Sequence, residues 1–244
     1  MAYTLQKILT FETFLDRYCE NFRYELADGE LVDRSPTGPH ETVSGKLATQ
    51  IGIAIAAEKL PWFIPLSSCT ILNKLFMNRH LACSTIKFTL CGTGILPVKR
   101  EWCKMWVPRT CSIRPFSDAA TARRPDIVVL DETALVNEPV WEREPVIAVG
   151  RSIKFVVEVV STNWETDYAG KVEEYAILGI SEYWIVDYRG LGGVAFIGKP
   201  KQPTITVCQL IDQDYTQQQF RRGQRIISPL LKSWEIPLDD ILPR

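Results

Sequence analysis

The chain has 244 residues, of which 46% are hydrophobic and 23% are charged, and its formal net charge is −1. This is an ordinary globular composition, long enough for one large domain or two small ones. The near-zero charge excludes a global basic field, so any contact with nucleic acid would need a local basic patch.

The cysteine content and the opening residues indicate the compartment. Seven cysteines lack the spacing of a disulfide framework or of metal knuckles, which favours reduced thiols. The opening has no cationic stretch followed by an apolar run, so we expect no signal peptide and a cytoplasmic location. No apolar run in the sequence is long enough to span a bilayer, so we expect no membrane partner.

The first half of the chain predicts a helix, a hairpin, a second helix and a strand. TFETFLDRYCE, at 10–20, has apolar residues at 11, 14, 15 and 18, and this helical spacing predicts the first helix. The stretch 23–35, RYELADGELVDRS, has a turn signal between two short alternating runs and predicts a hairpin. After a Pro and Gly break, residues 43, 47, 51 and 54 or 55 lie on one face of a predicted helix. WFIPLSSCTI, at 62–71, predicts a strand.

The second half predicts strands separated by a helix. The strand-like segments are rich in β-branched and aromatic residues, and they are RRPDIVVLDE (123–132), KFVVEVVS (154–161), SEYWIVDYRG (181–190), VAFIGK (194–199) and TITVCQL (204–210). TDYAGKVEEYAILGI (166–180) has helical spacing and a stop signal at Gly179. This order predicts one α/β domain with a mixed central sheet flanked by helices.

Charged residues interrupt two of the apolar strands. Asp126 stands at the entrance to IVVL, and Glu158 lies within FVVEVV, 32 residues later. If these strands are neighbours, both carboxylates can converge, and two such oxygen donors with water and a phosphate oxygen make a normal Mg²⁺ site. Lys171, in the following helix, would neutralise the pair or polarise an attacking water during phosphodiester cleavage.

Each of these residues also has a plainer interpretation. An aspartate after proline at a strand start is usually a turn or cap residue. Lys171 alone would be a solvated helix residue, and Glu158 with Lys171 could form a buried ion pair without metal. The combination of all three is more specific than any member, because a buried acid nearly always has a partner.

A family resemblance is carried by three segments of the chain. They are the N-terminal YELADGELVDRSPTGPHETVSGKLATQI and then, in this order, RRPDIVVLDE and FVVEVVSTNWETDYAGKVEEYAILGISEYWIVD. The chain resembles the Uma-two family of restriction endonuclease-like proteins, which is abundant in cyanobacteria and belongs to the PD-(D/E)xK nuclease superfamily. The resemblance implies a single nuclease-like domain over 1–244 with a restriction-endonuclease-like core. It also implies a DNA endonuclease that hydrolyses phosphodiester bonds with Mg²⁺ or Mn²⁺. A homodimer fits this activity, since duplex cleavage requires two cut strands.

Residue by residue, the resemblance makes Asp126 the aspartate of the PD pair and Glu158 the acid of the second motif, both metal ligands. The usual pattern places a lysine two positions after that acid, where this chain has Val160. Lys171 fits the lysine that a later helix supplies in this family. Glu25 matches an early acidic residue that often completes such sites.

Other positions match the family without a clear catalytic role. His40 matches a family histidine at a helix start, for which helix capping is the plainer interpretation. Tyr175, Tyr183 and Trp184 also match, and we expect them to pack in the core. The rival to an active enzyme is a catalytically degenerate nuclease-fold protein that binds DNA or protein.

The segment 72–113 differs from its flanks. It is basic and rich in cysteine, and near repeats, SSCTI and RTCSI, bound it. We interpret it as an insertion into the nuclease-like domain, either a loop excrescence or a basic arm in which Trp102 and Trp106 stack on bases. We expect its cysteines to be free thiols, more accessible than Cys208 in the strand-like TITVCQL.

Overall fold

In a computed structural model of the chain, the described residues are 9, 11–18, 21, 23–65, 70–71, 112–113, 120–121, 123–138, 141–142, 146–147, 149–232 and 234–244. Apart from Ser112 and Ile113, the segment interpreted as an insertion lies outside the described residues. The predictions about its form and its cysteines therefore stay predictions.

The helices of the described part are α1 Phe11–Tyr18, α2 Gly38–Ala57, α3 Lys171–Ile177, α4 Val194–Ile197 and α5 Leu238–Ile241. The strands are β1 Tyr24–Ala27, β2 Glu30–Asp33, β3 Trp62–Phe63, β4 Thr70–Ile71, β5 Ser112–Ile113, β6 Ala120–Thr121, β7 Ile127–Asp131, β8 Val146–Ile147, β9 Ile153–Val159, β10 Glu182–Asp187, β11 Thr204–Ile211, β12 Asp214–Arg221, β13 Arg225–Ile227 and β14 Glu235–Pro237. Short 3₁₀ turns occur at Leu135–Asn137 and Gly150–Ser152, and a π-helical turn at Thr166–Gly170. No described helix combines the length and the apolar character that crossing a bilayer requires.

The chain divides into two compact units. Unit 1 takes its residues from Met1–Ser35, Cys69–Arg124 and Pro139–Val149, and unit 2 from Pro36–Ser68, Pro125–Glu138 and Gly150–Arg244. Within unit 1, β1 and β2 form the predicted antiparallel hairpin. Its two turn residues, Asp28 and Gly29, have φ of 51° and 79°, the left-handed conformation of the tight hairpin turn that ADGE predicts. Unit 1 also contains the short ladders β4–β8 and β5–β6.

A six-stranded mixed sheet organises unit 2, in the order β12-β11-β10-β9-β7-β3. β9 and β10 are parallel at its centre, and the remaining pairs are antiparallel. All residues of β7 and β10 are buried, which explains why these segments are nearly continuous apolar runs. The predicted α/β class with a mixed central sheet is confirmed.

Helix α2 covers one face of this sheet. Its residues Val43, Leu47 and Ile51 are fully buried at a spacing of four, and they belong to one core cluster with Phe155 and Val157 of β9. Each such side chain contributes about 1.5–3 kcal/mol when it is removed from water. Because strand residues alternate between faces, Val156 and Glu158 point to the opposite face.

Helix α3 follows the π-helical turn and ends at Ile177, two residues before the predicted stop signal Gly179, whose φ is 74°. The end of this helix packs closely on Gly150, where an added Cβ would lie 1.9 Å from the carbonyl oxygen of Leu178. A side chain at position 150 is therefore excluded, and the glycine sets how closely the end of α3 approaches the chain that enters β9.

One strand prediction is wrong, and a second is met only in part. VAFIGK forms the short helix α4 between Gly193 and Gly198, and the latter has a φ of 75° that a strand does not adopt. The carbonyls of Phe196 and Ile197 accept hydrogen bonds from side chains of β12 instead of a neighbouring strand. WFIPLSSCTI is predicted as one strand, and its described residues form the short strands β3 and β4. β3 pairs with β7, whereas β4 pairs with β8.

Candidate active site

The two carboxylates lie at neighbouring strands, since Asp126 directly precedes β7 and Glu158 lies within β9. β7 and β9 are antiparallel, and Ile127 pairs with Val157. One residue further along this register, Asp126 comes opposite Glu158. The sheet therefore brings together two positions that are 32 residues apart in the chain.

Glu158 is buried, with only 1% of its surface exposed, and protein groups contact both of its carboxylate oxygens. The hydroxyl of Tyr175 donates to Oε1 over 2.7 Å, and Nζ of Lys171 lies 3.0 Å from Oε2. A buried carboxylate needs such partners, because an unpaired one costs several kcal/mol. The charge inside the apolar strand is thus compensated by a cation and a hydroxyl from α3.

Lys171 is itself buried between two carboxylates. Its Nζ donates to Oδ1 of Asp167 over 2.8 Å and also contacts Glu158. Asp167, Lys171 and Tyr175 follow one another at intervals of four, so they share one face of the helical segment. The π-helical turn contains Asp167 and ends directly before Lys171, and such turns often occur at functional sites.

The side chain of Asp126, the second of the two carboxylates, is also held by neighbouring groups. Its Oδ2 accepts a hydrogen bond from the backbone N–H of Val159 over 2.7 Å. Nε2 of His40 lies 3.3 Å from the same oxygen and 3.1 Å from the carbonyl oxygen of Val159. Both neighbours are acceptors, so Nε2 carries the proton and donates. His40 therefore fixes the Asp126 carboxylate against the end of β9.

The helix-capping interpretation of His40 is wrong. Thr37 is the N-cap residue of α2, and His40 is the third residue inside the helix. Its side chain contacts Asp126 and Val159. A histidine in the first turn faces the core at this spacing, because it lies three residues before the buried Val43.

Glu25 lies in unit 1, on β1, and is almost fully buried. Its Oε1 accepts a hydrogen bond from Nη1 of Arg123 over 2.9 Å, and its Oε2 accepts one from Nη1 of Arg34 over 3.3 Å. Two guanidinium groups thus compensate this carboxylate within unit 1. Its participation in a catalytic site stays a prediction.

The donors at Asp126 and Glu158 are suited to a hard divalent cation. Within the described ranges, no group of three or more His, Cys, Asp or Glu side chains is placed to hold a metal ion. Mg²⁺, however, is commonly bound through one or two carboxylates, with waters and substrate phosphates completing an octahedron. One carboxylate directly before β7 and one within β9 therefore fit Mg²⁺ or Mn²⁺ better than a metal that needs a closed protein cage.

Sequence reasoning missed two members of the cluster. Tyr175 is buried in the core, as expected, but it also binds Glu158, and Asp167 was not singled out although it holds Lys171. The spacing of four between Asp167, Lys171 and Tyr175 is the signal that could have identified both. Tyr183 and Trp184 are fully buried, in agreement with the core-packing prediction.

Comparison with solved structures defines the class of fold. The crystal structure of "a putative nuclease belonging to DUF820 from Anabaena variabilis ATCC 29413" matches with a TM-score of 0.55 and 11% sequence identity. The match covers 93% of this chain and 96% of that chain. The fold is therefore similar to that of a nuclease-like α/β protein.

The family assignment follows from the sequence. The model of the Uma2 family, described as "Putative restriction endonuclease", matches residues 97–239, which is more than half of the chain. The chain belongs to the Uma2 family, as the motifs around Asp126 and Glu158 predict. The matched range begins inside the segment 72–113 that we interpret as an insertion. A comparison with curated proteins finds no match.

Proposed function

We propose that the protein is a Mg²⁺- or Mn²⁺-dependent endonuclease that hydrolyses phosphodiester bonds in DNA. Its catalytic residues in this proposal are Asp126, Glu158 and Lys171. The observation that carries the proposal is the buried contact of 3.0 Å between Lys171 and Glu158, at the position opposite Asp126. Membership of a family described as restriction endonucleases supports the reaction class.

Asp126 and Glu158 would hold the divalent cation. When bound there, the cation would supply charge stabilisation at a phosphoryl oxygen and a more acidic water. The protein supplies the positioning. Tyr175 fixes the side chain of Glu158, while His40 and the N–H of Val159 fix that of Asp126. Side chains fixed in this way need no reorganisation when a phosphate arrives.

Lys171 would serve as the cationic group of the site. A phosphodiester is an anion, and two carboxylates alone would repel it. The ammonium group, held by Asp167 and Glu158, places a positive charge beside them. Such a charge lowers the cost of bringing the phosphate close and stabilises the negative charge that grows in the transition state.

A second candidate function is a catalytically degenerate nuclease fold that binds DNA or protein without cleaving. The observation that favours it is the satisfaction of both Glu158 oxygens by Tyr175 and Lys171. With that ion pair, the carboxylate is compensated without any metal.

Plasmid nicking in Mg²⁺ or Mn²⁺ tests the catalytic proposal. We expect the wild type to nick, Glu158→Gln to be inactive, and Glu182→Gln to keep the wild-type rate. Glu182 is a matched control because it is another buried glutamate, on the adjacent strand β10. A wild type that does not nick, or a Glu158→Gln variant that nicks equally well, would contradict the proposal.

Calorimetric titration with Mg²⁺ separates the two candidate functions. An intact site should release or absorb heat in the wild type and lose that signal in Asp126→Asn and Glu158→Gln. A degenerate site should give no signal in any of the three proteins.

A further inference from the structure

Helix α4 displays apolar side chains at the surface. Val194 is 41% exposed and Phe196 is 36% exposed, although residues of these types are usually buried. The ring of Phe196 lies 5.9 Å from that of Trp164 and 5.1 Å from that of Tyr168, measured between centroids. The result is an aromatic cluster with one side open to solvent.

The backbone that presents this cluster is held firmly. An added Cβ at Gly193 would lie 2.9 Å from Cη2 of Trp164, so the indole packs directly on the main chain. Nη2 of Arg221 donates to the carbonyl of Ile197 over 2.9 Å, and the side-chain amide of Gln219 donates to the carbonyl of Phe196. The exposure of Phe196 is therefore a feature of an anchored turn and not of a frayed end.

The segment 188–203, which contains α4, is basic. It carries Arg189, Lys199 and Lys201 and has no aspartate or glutamate, whereas the whole chain has a net charge of −1. All three cationic side chains are exposed. Nζ of Lys201 donates to the carbonyl of Leu191 over 3.1 Å, and this hydrogen bond fixes the ammonium group next to the backbone of the segment. We call residues 188–203 together with Trp164 the flanking surface.

The flanking surface lies next to the proposed catalytic cluster. Trp164 and Tyr168 belong to the same helical segment as Asp167 and Lys171. β9 and β10 are parallel, and Val159 pairs with Val186, so the two strands end at the same edge of the sheet. The segment 188–203 starts directly after β10, at the edge where β9 ends one residue after Glu158.

We propose that the flanking surface binds duplex DNA beside the phosphodiester that the site cleaves. Arg189, Lys199 and Lys201 contact backbone phosphates, and Val194 and Phe196 press into the adjacent groove. Phosphate contacts by Lys and Arg dominate affinity for DNA, and apolar side chains in a groove or against bases add to it. The inference rests on the proposed function and names the part of the chain that positions the substrate.

Fluorescence anisotropy with a labelled duplex oligonucleotide in EDTA, where metal-dependent cleavage cannot occur, tests the proposal at several salt concentrations. The triple variant Arg189→Gln, Lys199→Gln, Lys201→Gln should lower the slope of log K against log salt by about 2.7, at roughly 0.9 per phosphate contact. Phe196→Ala should weaken binding by about tenfold and leave the slope unchanged.

Two control variants separate a specific effect from a general loss of charge. Lys59→Gln, Arg225→Gln, Lys232→Gln removes the same charge from exposed positions outside the flanking surface, and it should keep the wild-type slope. The charge-conserving variant Arg189→Lys, Lys199→Arg, Lys201→Arg should also keep it. Circular dichroism verifies that each variant is folded.

The outcomes distinguish this inference from the proposed function. If the wild type neither binds the duplex nor nicks plasmid, both are overturned. If the wild type nicks plasmid but the glutamine triple variant binds and nicks as well as the wild type, only the flanking surface is overturned. If Phe196→Ala changes the sedimentation coefficient and not the DNA affinity, the surface joins protein chains, and the inference is likewise overturned.

Discussion

Nζ of Lys171 lies 3.0 Å from Oε2 of Glu158, and both side chains are almost completely buried. Asp167 contacts the same ammonium group, so one cation is shared between two carboxylates. The three groups together keep a net negative charge when all are ionised. Lys171 neutralises only one of the two carboxylate charges, so the site remains negative and is suited to bind a divalent cation. This remaining charge is the basis of the proposed metal dependence.

The first prediction concerns the variant Lys171→Met in metal-free buffer. Loss of the cation leaves Glu158 and Asp167 buried without their charge partner, and breaking a buried pair in this way costs about 3–5 kcal/mol. Burial disfavours the charged form of the carboxyl, so protonation relieves the cost at low pH and the loss grows as pH rises. Urea unfolding at pH 5 and pH 9 measures both effects.

The double variant Lys171→Met, Glu158→Gln is the control for this prediction. Removal of the Glu158 charge should restore part of the stability at pH 9 and little at pH 5. An unfolding free energy of Lys171→Met that differs from the wild type by the same amount at both pH values would show that water reaches Glu158.

The second prediction compares two buried tyrosines. The Tyr175 hydroxyl donates to the Glu158 carboxylate, whereas the Tyr183 hydroxyl donates to the backbone carbonyl of Asp167 over 3.0 Å. Hydrogen bonds to charged groups contribute about 1.5–3 kcal/mol, and those between neutral groups about 0.5–1.5 kcal/mol. Tyr175→Phe should therefore destabilise the protein more than Tyr183→Phe in urea unfolding. Equal losses in the two variants would contradict a charged Glu158 in the folded state.

The central strands and the charged cluster could be predicted from the sequence because their signals are local. β7, β9 and β10 are long apolar runs, and a carboxylate inside such a run is visible without a structure. Lys171 is indicated by its place in the next helix and, separately, by the family resemblance. The convergence of Asp126 and Glu158 requires β7 and β9 to be neighbours, and the two strands pair in the structure.

The remaining contacts depend on which helix face packs on the sheet. Tyr175 matched an expected core residue, and only the orientation of α3 shows that its hydroxyl reaches Glu158. His40 contacts Asp126 across 86 positions of sequence, which no local pattern reports. α4 was predicted as a strand because four apolar residues fit either structure, and the flanking glycines and the side chains of β12 determine which one forms.

The third prediction concerns Glu182, a buried residue of β10 outside the proposed site. Burial raises its pKa to about 7, although Trp184, Ser228 and the N–H of Leu230 donate hydrogen bonds to its carboxyl group. The ordinary value is 4.5, so the folded state binds the proton more tightly than the unfolded state. Stability from this group is fully present below pH 4.5, is lost as pH rises toward 7, and is then constant.

The variant Glu182→Gln removes this titration. The shift corresponds to about 3 kcal/mol, so the variant should be more stable than the wild type by up to that amount at pH 8 and similar to it at pH 4.5. Taking the difference in unfolding free energy between the two proteins removes the contribution of the other acids, which is the same in both.

The variant Ser228→Ala serves as a comparison, because it removes a donor to Oε1 of Glu182 and should lower stability more at pH 8 than at pH 4.5. A stability difference between Glu182→Gln and the wild type that is constant with pH would disprove the raised pKa.

The last prediction concerns the reactivity of Cys208. This residue is fully buried in β11, and burial, together with the charge of Glu182, raises the pKa of its thiol to about 12. Only the thiolate reacts with alkylating reagents, and about one Cys208 thiol in ten thousand is ionised at pH 8. In native protein treated with iodoacetamide, peptide mass mapping should therefore find Cys208 unmodified. After unfolding in concentrated urea, the same residue should be alkylated at the rate of an ordinary cysteine.

The cysteines of the segment 72–113, predicted from sequence to be accessible free thiols, should react first in the native protein. Equal native and unfolded rates at Cys208 would show that β11 opens readily, and would contradict its position inside the sheet.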